Sequence, residues 1–317
     1  MPLCVSATHP SHHDVSSSFP TSKCLTEAMG AKQSKQSASP SILDKPWRSI
    51  NWGGKHNFLQ HANNYNPQTD GQQLRILLHG PVGAGKSSFI NSVQSVLEGR
   101  ICKKAFADNM AQGCFTKKYT TYKIQKGTRN IFYPFVFNDM VGLKCRNRRD
   151  RRIHVKDVKR ILKGHVQDGY TFNPESKLSK EDRYYNGSPS ANDKVHVLVY
   201  VFDANTVSLM NNDIKETILD IRDEANELGI PQVAVFTKID EACPEINQDL
   251  KNVYKSTILQ EKMEQFSATV GIPMNCIFPV KNYHDEISLN NDADILILSS
   301  LKSIIDDGND FLNEMHV

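Results

Sequence analysis

The segment that most constrains this chain is "LRILLHGPVGAGKSSFINSV", in which Gly80-Pro81-Val82-Gly83-Ala84-Gly85-Lys86-Ser87 fits the pattern GxxxxGK[ST]. Such a loop works only between a strand and a helix. Its glycines let consecutive backbone N–H groups turn toward a phosphate, and the helix that follows adds the positive end of its dipole. Both flanks are present: Leu74 to Leu78 is an apolar run, and Phe89, Ile90, Val93 and Leu97 recur at helical spacing behind the loop. In this arrangement Lys86 reaches the outer phosphates, the backbone as far as Ser88 completes the cradle, and Ser87 is a ligand for Mg2+.

Beyond Gln73 apolar runs alternate with helical stretches, the pattern of a mostly parallel sheet covered by helices on both faces. The runs are "LRILLHG", "YTTYKIQ", "NIFYPFVFND", "VHVLVYVFDAN", "QVAVFTKID" and "NCIFPVKNY". Between two of them, Ile214, Ile218, Ile221, Ala225 and Leu228 share one helical face, and Gly229 and Pro231 stop that helix. The Leu- and Ile-rich stretch from Ala293 onward reads as a closing helix. The fold class expected is therefore α/β, a P-loop NTPase. Its domain is expected to run over 73–317, with a polar insertion at about 143–193 that begins as a helix and continues as a surface loop, functional or disordered. Residues 1–72 are rich in Ser, Asn, Gln and His and read as a flexible tail, in which Trp47 and Trp52 cap the domain edge.

Composition narrows the partners. The chain has 38 basic and 35 acidic residues in 317, a net charge of +3 that argues against a nucleic-acid binder, so any charged partner site is local. Seven cysteines form no CxxC pair and are odd in number, so neither a zinc module nor a disulfide framework is indicated, which fits a reducing cytoplasm.

Three further motifs follow the phosphate loop. Asp139-Met140-Val141-Gly142 ends the strand "FYPFVF", where a carboxylate holds Mg2+ through water and the Gly142 amide senses a γ-phosphate. Thr237-Lys238-Ile239-Asp240 ends "QVAVF". A carboxylate accepts both N1–H and N2–H of guanine, a bidentate match that adenine lacks, so Asp240 is the expected specificity determinant, with the Lys238 stem along the purine plane. In Pro279-Val280-Lys281-Asn282 the backbone of Val280 or Lys281 faces the guanine oxygen. The remaining Mg2+ ligand is sought in "CFTKKYTT", where Thr116 precedes the strand and Thr120 fits the strand's alternation. Thr116 is the choice.

In order and spacing these elements resemble small GTPases and, more closely, the interferon-induced protein 44 family. The resemblance rests on "ILLHGPVGAGKSSFINSV", "CFTKKYTTYKI", "FYPFVFNDMVGL", "VYVFDAN", "VFTKID" and "FPVKNYHDE", and covers the chain from about Gln73 to its end. It implies a cytoplasmic, immune-inducible protein with a small-GTPase-like domain that takes GTP or GDP with Mg2+ and serves antiviral and antiproliferative responses. Two positions depart from the standard pattern. Thr237 stands where NKxD has asparagine, keeping a side-chain oxygen and losing the amide. Leu143 stands where a glutamine often orients the attacking water, and it can neither donate nor accept a hydrogen bond. A guanine-nucleotide switch with slow or absent hydrolysis is expected, against the alternatives of an active GTP hydrolase or a nucleotide-independent immune scaffold.

Two motifs lie outside the nucleotide site. "KCRNRRDRR", from Lys144 to Arg152, is either a solvated loop entering a helix or a docking site for an acidic partner or nucleic acid, and an arginine here, Arg146 or Arg148, is also placed to supply catalytic charge in cis. Met29-Gly30-Ala31-Lys32-Gln33-Ser34 matches the N-myristoylation pattern, so membrane association is expected only if Gly30 becomes an acylated N-terminus.

Overall fold

The computed structural model describes residues 41–103, 105, 117–127, 130–144 and 147–315. Six strands form one sheet in the order β2-β3-β1-β4-β5-β6. They are β1 (Leu74–His79), β2 (Thr120–Gln125), β3 (Phe132–Asp139), β4 (Val197–Asp203), β5 (Gln232–Thr237) and β6 (Ile277–Pro279). All neighbours pair in parallel except the edge strand β2, which runs antiparallel to β3. The eight α-helices among the described residues are α1 (Lys55–Asn64), α2 (Lys86–Glu98), α3 (Arg148–Leu162), α4 (Asn212–Glu227), α5 (Ile239–Ala242), α6 (Pro244–Gln248), α7 (Thr257–Val270) and α8 (Asn291–Glu314). Every apolar run read from the sequence contains one strand.

The continuous apolar runs have a simple cause: the central strands are buried on both faces. Side chains alternate across the pleat, so Leu77 of β1 enters one core with α3, α4 and α7, while Leu74, Ile76 and Leu78 enter the other with α2 and α8. Helix α4 begins at an asparagine cap, the Asn211 side chain accepting from the Ile214 amide, and spans the expected amphipathic face. Parallel strands all end at the same edge, and the loops that leave β1, β3, β4, β5 and β6 there build the site.

The stretch before Gln73, expected as a tail, carries structure from residue 41 onward. Helix α1 packs on α8, burying Ala62 and pairing Lys55 with Asp294 at 2.5 Å and His61 with Asp306 at 2.7 Å. Trp47 stands edge-on to Tyr254 at 5.1 Å, and Arg48 donates to the carbonyls of Ile277 and Met274. The insertion is helix α3 followed by a loop held to the body: Asp157 of α3 accepts from the Tyr170 hydroxyl and the Leu178 amide at 2.9 and 2.8 Å. Gly30 and its motif lie outside the described residues.

Candidate functional site

The phosphate loop bends between β1 and α2 through three glycines, Gly80, Gly83 and Gly85, each at positive φ. At Gly85 the requirement is sharp. Its φ is 87°, and a Cβ there would lie 3.0 Å from Asn282 Nδ2 and 3.3 Å from Thr237 Oγ1, so only glycine lets the base-side strands approach the loop. Lys86 is buried and donates back to the carbonyls of Gly80 and Pro81 at 3.2 and 3.0 Å, which fixes its ammonium inside the loop. Ala84 is buried and serves the loop through its carbonyl rather than its side chain.

Ser87 Oγ donates to Asp139 Oδ2 at 2.5 Å, so the hydroxyl from α2 and the carboxylate ending β3 meet as the two motifs require. Both are hard oxygen donors beside the loop, and this pair fits a Mg2+ ion held by serine directly and by the carboxylate through water. Thr116, the other expected ligand, lies outside the described residues. The segment after β3 folds onto the phosphate loop. Leu143 donates its amide to Gly80 O at 2.9 Å and accepts from the Val82 amide at 3.4 Å, and a Cβ on Gly142 would lie 2.7 Å from Val82 Cα. The Val82 amide is therefore committed to Leu143 in this state, and the Leu143 side chain is buried in the core.

On the base side, Lys238 adopts the left-handed conformation at φ 55°, which turns the chain so that Asp240 follows at the start of α5. Lys238 Nζ is anchored by Asp203 Oδ2 at 2.8 Å, and Asp203 is fixed by the amide and side chain of Asn205 at 2.8 and 3.0 Å. Asp240 is half-buried and faces Lys281 at 3.2 Å; Glu286 faces the same ammonium at 3.5 Å. Burial works against the charge on Lys281, and Asp240 and then Glu286 outweigh it, holding its pKa above the usual lysine value. Asp240, Lys238, Lys281, Gly85, Lys86, Ser87 and Ser88 all line one cavity of about 720 Å³.

Two expectations change. The Val280 amide is not turned to a base: it donates to Phe236 O at 2.7 Å, extending the β5–β6 pairing, and the side chain is buried. Of the two amides expected at the guanine oxygen, Lys281's is the one left. Thr237 is fully buried and does not line the cavity; its hydroxyl donates to Ala84 O at 2.7 Å and approaches Phe202 O at 3.2 Å. Asp203, Glu286 and Asn282 were missed as site residues, although the strings "VFDAN" and "PVKNYHDE" contain them. Their roles arise from pairing across strands, which no local pattern reveals.

Beneath the loop, His79 at the end of β1 meets His154 of α3, Nε2 to Nε2, at 2.9 Å. Burial first, then His154 and Lys86, hold His79 well below the ordinary histidine pKa; burial and then Lys86 push His154 down to about 4.

A phosphate loop after β1, an acidic strand end beside its serine, and the TKID and PVKN loops closing the other side of one cavity define a P-loop domain of the GTPase-like class. Sequence relatives narrow this further. The chain is 34% identical to interferon-induced protein 44 of Mus musculus over 260 residues, 82% of this chain and 60% of that protein. It is 34% identical to the Homo sapiens protein over 77% of this chain and 54% of the relative, and 32% identical to Homo sapiens interferon-induced protein 44-like over 82% and 57%. Over the region they share, the chain is similar to the interferon-induced protein 44 and 44-like proteins. It spans between 54% and 60% of the length of these three relatives. No family model matches it. Among solved structures it is similar to Toc33 from Arabidopsis thaliana in complex with GDP and Mg2+, at 15% identity and a TM-score of 0.44 over 81% of this chain and 96% of that one. A structure of Aquifex aeolicus Era gives 15% identity and a TM-score of 0.34 over 66% and 51%.

Proposed function

We propose that this chain is a guanine-nucleotide-binding, GTPase-like protein of the interferon response, a switch with slow or absent intrinsic hydrolysis that acts in the cytoplasm against viruses. The observation that carries the reading is the shared cavity, with the phosphate loop on one wall and Asp240 beside Lys281 on the other. GTP or GDP would lie across it. Lys86 and the amides of Gly83 to Ser88 would bind phosphate oxygens, Ser87 and Asp139 would hold Mg2+, and Asp240 would accept the two N–H groups of guanine. The ion, when bound, would neutralise charge on the β- and γ-oxygens. Lys281 changes role on binding, from ion-pair partner of Asp240 to a stem beside the base.

The basic segment read as either a solvated loop or a docking site divides in two. Arg149 pairs with Glu175, and Arg151 pairs with Glu216 and Asp220 of α4. Arg148, Arg152 and Lys156 recur every fourth residue on the exposed side of α3 and have no ion-pair partner among the described residues, so these three would meet an acidic protein surface.

Equilibrium binding of labelled GDP, GTP and ATP to the full chain with Mg2+ tests the reading. Guanine nucleotides should bind and ATP should not, and Asp240→Ala should weaken GDP by about 2 to 4 kcal/mol through loss of two charge-assisted hydrogen bonds. Equal wild-type affinities for GDP and ATP would sink it.

A further inference from the structure

A hydroxyl carries one hydrogen, so Thr237 can satisfy one carbonyl of the phosphate loop and no more. It takes Ala84 O, at 2.7 Å. The next carbonyl, Gly85 O, accepts from the Phe89 amide at 2.8 Å and takes a second hydrogen from the loop after β6, where Asn282 Nδ2 donates to it at 3.2 Å. Two consecutive carbonyls of the phosphate loop are thus gripped by two side chains, one from the end of β5 and one from the loop after β6. The grip continues along the chain, because the Tyr283 amide donates to Ser92 Oγ on α2 at 2.9 Å. The loop that carries Lys281 to the base is thereby fastened to both the cradle and its helix.

We propose that Asn282 is a positioning residue that supplies the carboxamide absent at position 237, latching the base-side loop to the phosphate loop so that the two halves of the nucleotide site hold one geometry. Three observations converge on it. Gly85 has no room for a Cβ because the Asn282 amide and the Thr237 hydroxyl crowd the same spot. Asn282 lines the same cavity as Asp240 and Lys86. Its Oδ1 is buried and has no hydrogen-bond partner among the described residues, so the carboxamide is held through its Nδ2 donor to Gly85 O. Asn282 follows directly on Lys281, so a shift of Lys281 on base binding is transmitted through one peptide to Gly85 O. The inference rests on the guanine-nucleotide reading for its ligand; the latch itself does not depend on which nucleotide binds.

The test uses the full chain and two readouts, amide hydrogen exchange over residues 83–88 without nucleotide and the dissociation rate of labelled GDP with Mg2+. Asn282→Asp keeps the size of the side chain, removes the donor, and sets a carboxylate against Gly85 O. It should speed exchange over 83–88 by about tenfold, the factor expected for one hydrogen bond, and Asn282→Ala should do the same. GDP should leave both variants about tenfold faster than wild type. Placing the carboxamide back on β5, in Thr237→Asn/Asn282→Ala, should recover most of both losses. Unchanged exchange in Asn282→Asp and Asn282→Ala overturns the latch. Faster exchange with no recovery in the double variant overturns the assignment of the missing carboxamide and leaves a packing role. Faster exchange and recovery in a protein whose wild type does not retain GDP supports the latch and overturns the guanine reading instead.

Discussion

At the scale of single residues, the pair His79 and His154 shows how a strand end and a helix are joined beneath the phosphate loop. Two imidazoles 2.9 Å apart through their Nε2 atoms share a single proton, so both are neutral in the fold, and Lys86 nearby opposes any added charge. Both pKa values are depressed relative to the unfolded chain. Between the ordinary histidine value of about 6.5 and the folded value of about 4, the unfolded state binds more protons, and stability rises with pH. The contribution is therefore complete above about 6.5 and is lost as the pH falls toward 4. Urea midpoints measured from pH 7.5 to 4.5 should fall across this window, and His154→Gln should flatten the fall while keeping a polar partner for His79. A slope unchanged in that variant would assign the acid sensitivity to other groups. None of this was legible in the sequence, where His79 is one residue of an apolar run and His154 one polar residue of a basic helix.

At the scale of elements, the segment that follows β3 folds back onto the phosphate loop. Leu143 is stitched to Gly80 and Val82 through backbone bonds, Gly142 packs against Val82, and the Leu143 side chain is buried in the core. A leucine there was read from the sequence as unable to orient water; its burial adds that a polar side chain at this position would not reach the water without unpacking. Intrinsic phosphate release, followed in single turnover, should be no faster than roughly 0.0003 to 0.0005 per second, the unassisted rate of a small GTPase. Leu143→Gln should fail to raise it and should lower stability by about 1 to 3 kcal/mol, because an amide would enter an apolar cluster without partners. Release near 1 per second would point to a positive group supplied in cis, with Arg148 at the start of α3 the described candidate. The charges of the helix that follows it divide between inward and outward roles. Of the positive run from Lys144 to Arg152, Arg151 is spent on Glu216 and Asp220 of α4, while Lys159 and Lys163 further along both serve the buried Glu224. Only helical spacing together with the position of α4 sorts the inward cations from the outward ones.

At the scale of the whole molecule, the sheet and the order of its motifs were readable because each core strand is a continuous apolar run ended by a motif, and parallel topology gathers those ends at one edge. What was not readable was where the packed body begins. Residues 41–72 look polar because their contacts are few and specific: one alanine on α1, two tryptophans and an arginine reaching backbone carbonyls do not make a period. Yet Ala62 is 2% exposed against α8, and Trp47 covers Tyr254 and stacks against Arg48. If α1 is part of one cooperative unit, damage there lowers the stability of the nucleotide domain. Ala62→Glu buries an unpaired carboxylate at the α1–α8 contact, and Trp47→Ala removes a large aromatic surface from Tyr254; each should cost about 2 to 4 kcal/mol and lower the melting temperature by several degrees. The measurement is thermal unfolding of the full chain followed by circular dichroism, with near-ultraviolet signal as a second probe for tertiary packing. Coincident, lowered transitions by both probes place α1 and the Trp47 contact inside the folding unit. A melting temperature equal to wild type in both variants would return residues 41–72 to the status of a tail and leave the sheet with its helices from α2 to α8 as the whole folding unit.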